Sequence, residues 1–184
     1  PRQVGGVLWF ANDDANMVPF TPIYCCNTTQ PLCYNTPGAD DLNFSIDNAF
    51  WVCNWVSNMV YPRYNVMFPS LESVRDSLEL SYHAAQQPLE QQALMLCKRD
   101  TAMAQKMLND YSNAKAQQMI DRWRKLAYYL IVKYNDMAVK PEKDGKFLKT
   151  EYGYGANVER PGFPEKYARK LIKETGDKFA VPEE

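Results

Sequence analysis

The sequence has little of several residue types on which common enzyme sites depend. Its 184 residues include one histidine, His83, which excludes mechanisms that need a histidine pair and most metal sites. The five cysteines form no paired CxxC arrangement, so we expect no zinc cage, no other metal and no cofactor. No apolar run approaches the roughly 20 residues that cross a bilayer. The formal net charge of -1 supplies no field that would attract nucleic acid or anionic lipid, so neither is an expected partner.

Charged and aromatic residues are distributed unevenly along the chain. Residues 1–69 hold 12 of the 24 aromatic residues but only 2 basic and 5 acidic side chains, and the first lysine is Lys98. A surface needs charges to stay hydrated, so this composition predicts burial on more than one side. We therefore expect other polypeptide to cover part of residues 1–69. Residues 1–6 resemble no export signal. If this chain belongs to a longer protein, a signal would lie outside these residues, so the sequence leaves open whether that protein is cytoplasmic or exported.

Glycine and proline positions predict two strands before a helical middle. No glycine occurs between Gly38 and Gly145, which indicates helices. Residues 4–11 form a short apolar run that predicts a buried strand. Residues 17–26 predict a second strand, which should lie at a sheet edge or carry a bulge because Pro19 and Pro22 have no N–H to donate. The composition of residues 27–45 predicts a loop.

Apolar periodicity predicts the helices. A helix over 48–60, capped by Asp47, should be buried nearly all round because its apolar residues cover most of its circumference. Ser70 should cap a helix over 70–85, with a break near Pro88 and a further helix over 89–99. The longest helix is expected over 101–135, capped by Asp100 or Thr101, and a last one over 164–174 follows a turn at 143–147.

These elements predict an α+β fold in a single domain, 1–184. Residues 1–46 would supply strands and loops and residues 47–136 the helices. Residues 137–184 would supply short strands, a loop and a terminal helix.

The cysteines are the best nucleophiles in the chain, but their sequence neighbours do not favour catalysis. A thiolate nucleophile needs a nearby base or cation, and only Cys97 has one beside it in sequence. A buried, apolar role is therefore the prediction for each cysteine. A disulfide from Cys33 to Cys25 or Cys26 is the alternative, and the odd number of cysteines would leave at least one thiol over.

His83 and two carboxylate pairs complete the candidates for chemistry. His83 lies in a predicted helix without a nucleophile motif, which favours an ordinary helix position. The pairs Asp13-Asp14 and Asp40-Asp41 lie in turns. Adjacent turn carboxylates are commonly solvated or capping, and acid–base catalysis is the less favoured interpretation.

The order of several short motifs resembles one enzyme family. The motifs are Gly5-Gly6-Val7-Leu8-Trp9-Phe10, Pro22-Ile23-Tyr24, Phe50-Trp51, Tyr61-Pro62-Arg63-Tyr64, Arg122-Trp123 and Tyr129 to Asp136. In this order they resemble the C-terminal part of the dipeptidase A-like cysteine dipeptidases, which are N-terminal-nucleophile hydrolases. Each motif alone is weak, and the series runs across almost the whole chain.

The resemblance implies an amidohydrolase of dipeptides with a sheet sandwich flanked by helices. Its nucleophile would be a cysteine at the first residue of the mature chain, whose α-amino group is the base. This chain begins with Pro1, so the family's nucleophile maps to no position here and we carry over no catalytic residue. We expect this chain to be the C-terminal portion of such an enzyme, inactive alone, and to provide a sheet edge and a helical layer. Its partners would be the N-terminal catalytic portion of the same protein and a dipeptide, and a homo-oligomer is also compatible.

Four residues are the candidates for substrate binding. Trp9, Asp13, Asp14 and Tyr24 lie at the ends of the two predicted strands and in the turn between them, where loops meet ligands. Core packing and turn formation are the alternative roles of each. Two other functions remain open: a non-enzymatic helical module that docks a partner on its aromatic first third, and a self-contained hydrolase that uses Cys25, Cys26 or His83.

Overall fold

The computed structural model describes residues 4–181, which fall into two compact units divided after Leu130. The helix-rich α+β composition predicted from the sequence is confirmed, while the single-domain organisation stays a prediction. None of the described helices is both long enough and apolar enough to cross a membrane. The strands are β1 (Val7–Phe10), β2 (Thr21–Tyr24), β3 (Glu142–Lys143) and β4 (Lys146–Phe147), and the helices are α1 (Ala49–Val60), α2 (Tyr64–Cys97), α3 (Thr101–Tyr134) and α4 (Glu165–Thr175).

Strands β1 and β2 form an antiparallel pair in which Trp9 faces Pro22. The Cys25 N–H donates to the Gly6 carbonyl, so Trp9 and Pro22 fall at a non-hydrogen-bonded position of the ladder. The prediction that the proline-bearing strand lies at an edge is confirmed, because the missing N–H of Pro22 points away from β1. On the same outer edge, the Tyr24 N–H donates to Ser112 Oγ of α3.

The first strand is shorter and less buried than predicted. Of the run at residues 4–11, only Val7–Phe10 form a strand. Val7 and Trp9 are half-buried, whereas Leu8 is 55% exposed and Phe10 is 36% exposed. The expectation of a buried first strand is therefore wrong for the described chain: Val7 and Trp9 face the helices, whereas Leu8 and Phe10 are exposed.

Helix α1 begins one residue after its cap, Asn48, whose side chain accepts a hydrogen bond from the Trp51 N–H. The predicted cap, Asp47, instead pairs with Arg124 of α3. Burial is also one-sided, contrary to prediction, since Phe50 is exposed and Trp51 is half-exposed. The face turned to the core consists of Ala49, Val52, Cys53, Val56, Ser57 and Val60.

Helix α2 is one continuous helix of 34 residues, not two segments. It begins at Tyr64 rather than at Ser70 and contains both Pro69 and Pro88. Each proline removes one backbone hydrogen bond and disfavours a helix locally. Burial of the apolar stripe Met67, Leu71, Leu78, Tyr82 and Ala93 along the whole length outweighs that cost.

Helix α3 supplies the largest part of the core within residues 4–130. Asp100 caps it as predicted, its carboxylate accepting from the Met103 N–H. Trp123, which is completely buried, is the largest side chain of this core. Other buried apolar residues of α3 up to residue 130 are Ala104, Leu108, Ala116, Met119, Ile120, Leu126, Ala127 and Leu130.

Residues 131–181 contain the hairpin and the last helix. Asp144 and Gly145 both have positive φ, as a two-residue hairpin turn between β3 and β4 requires, which confirms the predicted turn. Helix α4 lies within one residue of its predicted bounds, and Gly176 follows it. Its apolar side chains Tyr167, Leu171 and Ile172 are exposed.

Candidate functional site

The turn between β1 and β2 holds Asp13 in a left-handed backbone conformation with φ of 70°. Aspartate tolerates this region better than most residues. Its two carboxylate oxygens accept hydrogen bonds from α1, one from the Asn54 amide at 3.0 Å and one from the Ser57 hydroxyl at 2.7 Å. Both donors are neutral, and Asp13 has no ion pair with another residue in the range 4–181. The turn therefore presents an exposed carboxylate whose charge is not compensated by a cation within the described residues.

The rest of the same turn is fixed by its own backbone and by α2. The Asp14 carboxylate accepts from the Asn16 N–H, and the Asn16 amide donates to the Tyr64 hydroxyl. Arg75 donates to the Asn16 carbonyl, and its guanidinium is paired with Asp76. Asp14 thus stabilises the turn. Arg75, which contacts this turn, already has the Asn16 carbonyl and Asp76 as partners.

Trp9 and Tyr24 lie on the helix-covered face of the hairpin. The Trp9 ring packs on His83 of α2, with ring centroids 4.2 Å apart. Tyr24 is buried, and its hydroxyl donates to Glu90. Burial raises the pKa of Tyr24 well above its usual value, and the Glu90 carboxylate adds to the shift.

Among the described residues, no side-chain hydrogen bond or ring contact joins the four sequence-predicted residues to one another, and three of them have defined structural roles. Trp9 stacks on α2, Asp14 closes the turn, and Tyr24 belongs to the core, so the structure favours structural roles for them. Asp13 is the one whose side chain is both exposed and anchored on a helix. The role of all four in substrate binding stays a prediction.

Beside Asn54, the outer face of α1 borders an open cleft of about 620 Å³. Trp51 and Trp55 come from α1 and Tyr128 comes from α3, and the Trp55 and Tyr128 rings meet edge to face with centroids 6.3 Å apart. The Asn58 amide donates to Asn54 Oδ1 at 2.9 Å. The remaining lining residues are Phe44 and Ile46.

The sequence analysis missed this cleft. The signal that could have revealed it is Asn54 and Asn58, two amides spaced four residues apart in a helix that is otherwise mostly apolar. Such polar residues predict an open helix face. The aromatic residues around them were instead counted as core.

Burial opposes activation of three of the five thiols. All five cysteines are free, so the alternative disulfide from Cys33 is wrong. Burial raises the pKa of Cys33 to about 12, and it also raises the pKa values of Cys26 and Cys53. The Asp13 carboxylate adds to the shift of Cys53. Within residues 4–181, no three His, Cys, Asp or Glu side chains are arranged to hold a metal ion.

Comparison with known proteins relates the amino-terminal part of the chain to a peptidase family. Residues 1–77 match the model of Peptidase family C69, a segment that includes β1, β2, α1 and the first part of α2. No curated protein matches the chain. The segment contains Asp13 and every residue of the cleft except Tyr128. The family resemblance predicted from the sequence is therefore confirmed over residues 1–77, where this chain is similar to Peptidase family C69.

Proposed function

We propose that this chain forms part of a cysteine dipeptidase, in which it supplies a sheet edge, a helical layer and one wall of the substrate pocket, while the nucleophilic cysteine lies on other polypeptide. The observation that carries the proposal is the match of residues 1–77 to a peptidase family. The resemblance implies that the thiolate attacks the peptide carbonyl, the amine leaves with a proton, and water hydrolyses the thioester.

The open side of the hairpin supports a larger sheet. By the alternation of the ladder, the N–H and C=O groups of Val7 and Trp9 point away from β2. These groups have no hydrogen-bond partner among residues 4–181. An unpaired edge next to an exposed apolar face, here Leu8 and Phe10, is a template for a further strand.

The state of the thiols supports a nucleophile elsewhere. A thiol is activated by a lowered pKa, whereas burial raises the pKa of Cys26, Cys33 and Cys53. Cys25 is exposed, but His83, which the self-contained hydrolase would need as a base, is stacked on Trp9. The self-contained hydrolase is therefore the weaker hypothesis.

The proposal is tested by two measurements on the chain of 184 residues. A panel of dipeptides should not be hydrolysed, and turnover that is abolished by Cys25→Ser would overturn the proposal. Hydrogen exchange followed by NMR should show rapid exchange of the Val7 and Trp9 amides and slower exchange of the paired Leu8 amide. Protection of Val7 and Trp9 equal to that of Leu8 would show that this edge is already covered.

A non-enzymatic interaction module is the second candidate. The exposed aromatic face of α1, with Phe50 at its start, favours it because large exposed apolar surfaces often mark protein contacts. The two proposals predict different activities for a longer form of the protein that carries an amino-terminal cysteine. Such a form would hydrolyse dipeptides only if the first proposal holds.

A further inference from the structure

We infer that the aromatic cleft on α1 and the Asp13 carboxylate beside it form one binding site for a peptide with a free α-ammonium group and a bulky apolar first side chain. The inference rests on the proposed function for the identity of the ligand as a peptide. The geometry of the described residues supplies the two recognition elements.

The first element is the carboxylate. Asp13 is held by two neutral donors of α1, Asn54 and Ser57, while its charge stays exposed. A fixed carboxylate without a cation is complementary to an ammonium group, and hydrogen bonds between charged groups are about twice as strong as neutral ones. Asp14 does not share this property because its carboxylate is used by the Asn16 N–H.

The second element is the cleft. Its volume of about 620 Å³ lies within the range of small-molecule sites, and aromatic rings with a few polar groups are their usual lining. Trp51, Trp55 and Tyr128 supply the rings, and their faces also attract cations. An apolar side chain that enters the cleft removes aromatic surface from water, while a glycine side chain would not.

Asn54 connects the two elements. Its amide Nδ2 lies 3.0 Å from Asp13, its Oδ1 accepts from Asn58, and both asparagines line the cleft. A carboxylate and an aromatic cleft that share one residue lie within the reach of a single amino acid. This arrangement fits a ligand whose charge and apolar group belong to the same residue, as they do in the first residue of a peptide.

The test is an NMR titration of the chain at pH 6.5, where an α-ammonium group with a pKa near 8 is protonated. The probe is phenylalanyl-glycine. We expect it to shift the side-chain amide signals of Asn54 and Asn58 and the indole signal of Trp55. N-acetyl-phenylalanyl-glycine and glycyl-glycine should each bind at least tenfold more weakly, since each lacks one recognition element.

Variants separate ligand binding from a structural effect. Asp13→Asn should weaken phenylalanyl-glycine at least tenfold and abolish its advantage over the N-acetylated probe. Asp110→Asn removes a carboxylate charge on α3, outside the turn and the cleft, and should leave both affinities within twofold. Trp55→Leu should weaken phenylalanyl-glycine, while Tyr61→Leu, outside the cleft, should not. The amide spectrum of each variant checks that it is folded.

The outcomes are distinct from those of the proposed function. Absence of shifts with phenylalanyl-glycine, or equal affinity for the N-acetylated probe, overturns the site even if a longer form of the protein proves to be a dipeptidase. Selective binding by this chain upholds the site even if that longer form hydrolyses no dipeptide.

Discussion

Replacement of Asp13 tests whether the turn between β1 and β2 is locked to α1 by this carboxylate. Asp13→Ala removes two hydrogen bonds and leaves Ser57, a residue that is 2% exposed, without the acceptor of its hydroxyl. A buried hydrogen bond to a charged group contributes about 1.5–3 kcal/mol, and the exposed bond from Asn54 about 0.5–1 kcal/mol. We therefore expect Asp13→Ala to lower the free energy of unfolding by about 2–4 kcal/mol.

Two further replacements at the same position separate the hydrogen bonds from the backbone strain. Asp13→Gly loses the same bonds but relieves the positive φ, so it should be about 0.5–1 kcal/mol more stable than Asp13→Ala. Asp13→Asn keeps an oxygen for Ser57 and should lose only about 1 kcal/mol.

Urea unfolding at neutral pH gives the order of stability. The slope of the free energy of unfolding against urea concentration is compared between variants. The expected order is wild type, Asn, Gly, Ala. A glycine variant less stable than the alanine variant would refute the role of the left-handed backbone. A loss below about 0.5 kcal/mol for alanine would refute the lock itself.

Two other predictions concern the core. Trp123→Ala removes the largest fully buried side chain and should lower the free energy of unfolding by about 3–5 kcal/mol in urea titrations, and a loss below about 1 kcal/mol would contradict its place in the core. Burial raises the Cys33 pKa from 9.0 to about 12, so the unfolded chain loses this proton at lower pH than the folded chain does. Stability should fall as the pH rises from 9 towards 12, and the fall should be smaller in Cys33→Ala; equal pH dependence of the two proteins would contradict this.

Sequence patterns predicted those elements whose signals are local. Asp100 at the start of α3 and Asp144-Gly145 in the hairpin were found because a cap and a turn are made by neighbouring residues. Pro22 was correctly placed at a strand edge because a proline cannot donate in any context.

The same local rules were wrong where distant residues decide the structure. Ser70 indicated a helix start and Pro88 a break, but α2 begins at Tyr64 and continues through Pro88 because its apolar stripe is buried along the whole length. Asp47 is a good cap by type, yet it pairs with Arg124, which is far away in sequence, and Asn48 caps α1 instead.

The candidate site shows the same division. The sequence indicated Asp13 as a turn carboxylate near a strand end, and the family resemblance selected the same segment. It gave no sign that Asn54 and Ser57 hold that carboxylate, because these contacts join residues 41 and 44 positions apart. The cleft was missed for a related reason: Tyr128, which is far in sequence from the α1 residues of the cleft, forms one of its walls.

The sequence by itself determined the helix-rich composition, the Asp100 cap, the Asp144-Gly145 turn, the scarcity of charge in the first third and the similarity of residues 1–77 to a peptidase family. Only the tertiary structure decided which apolar surfaces are covered, which of the predicted site residues carry an exposed charge, and where the cleft lies. The physical reason is that backbone preferences act between near neighbours. Burial and side-chain contacts depend on segments that meet only when the chain is folded.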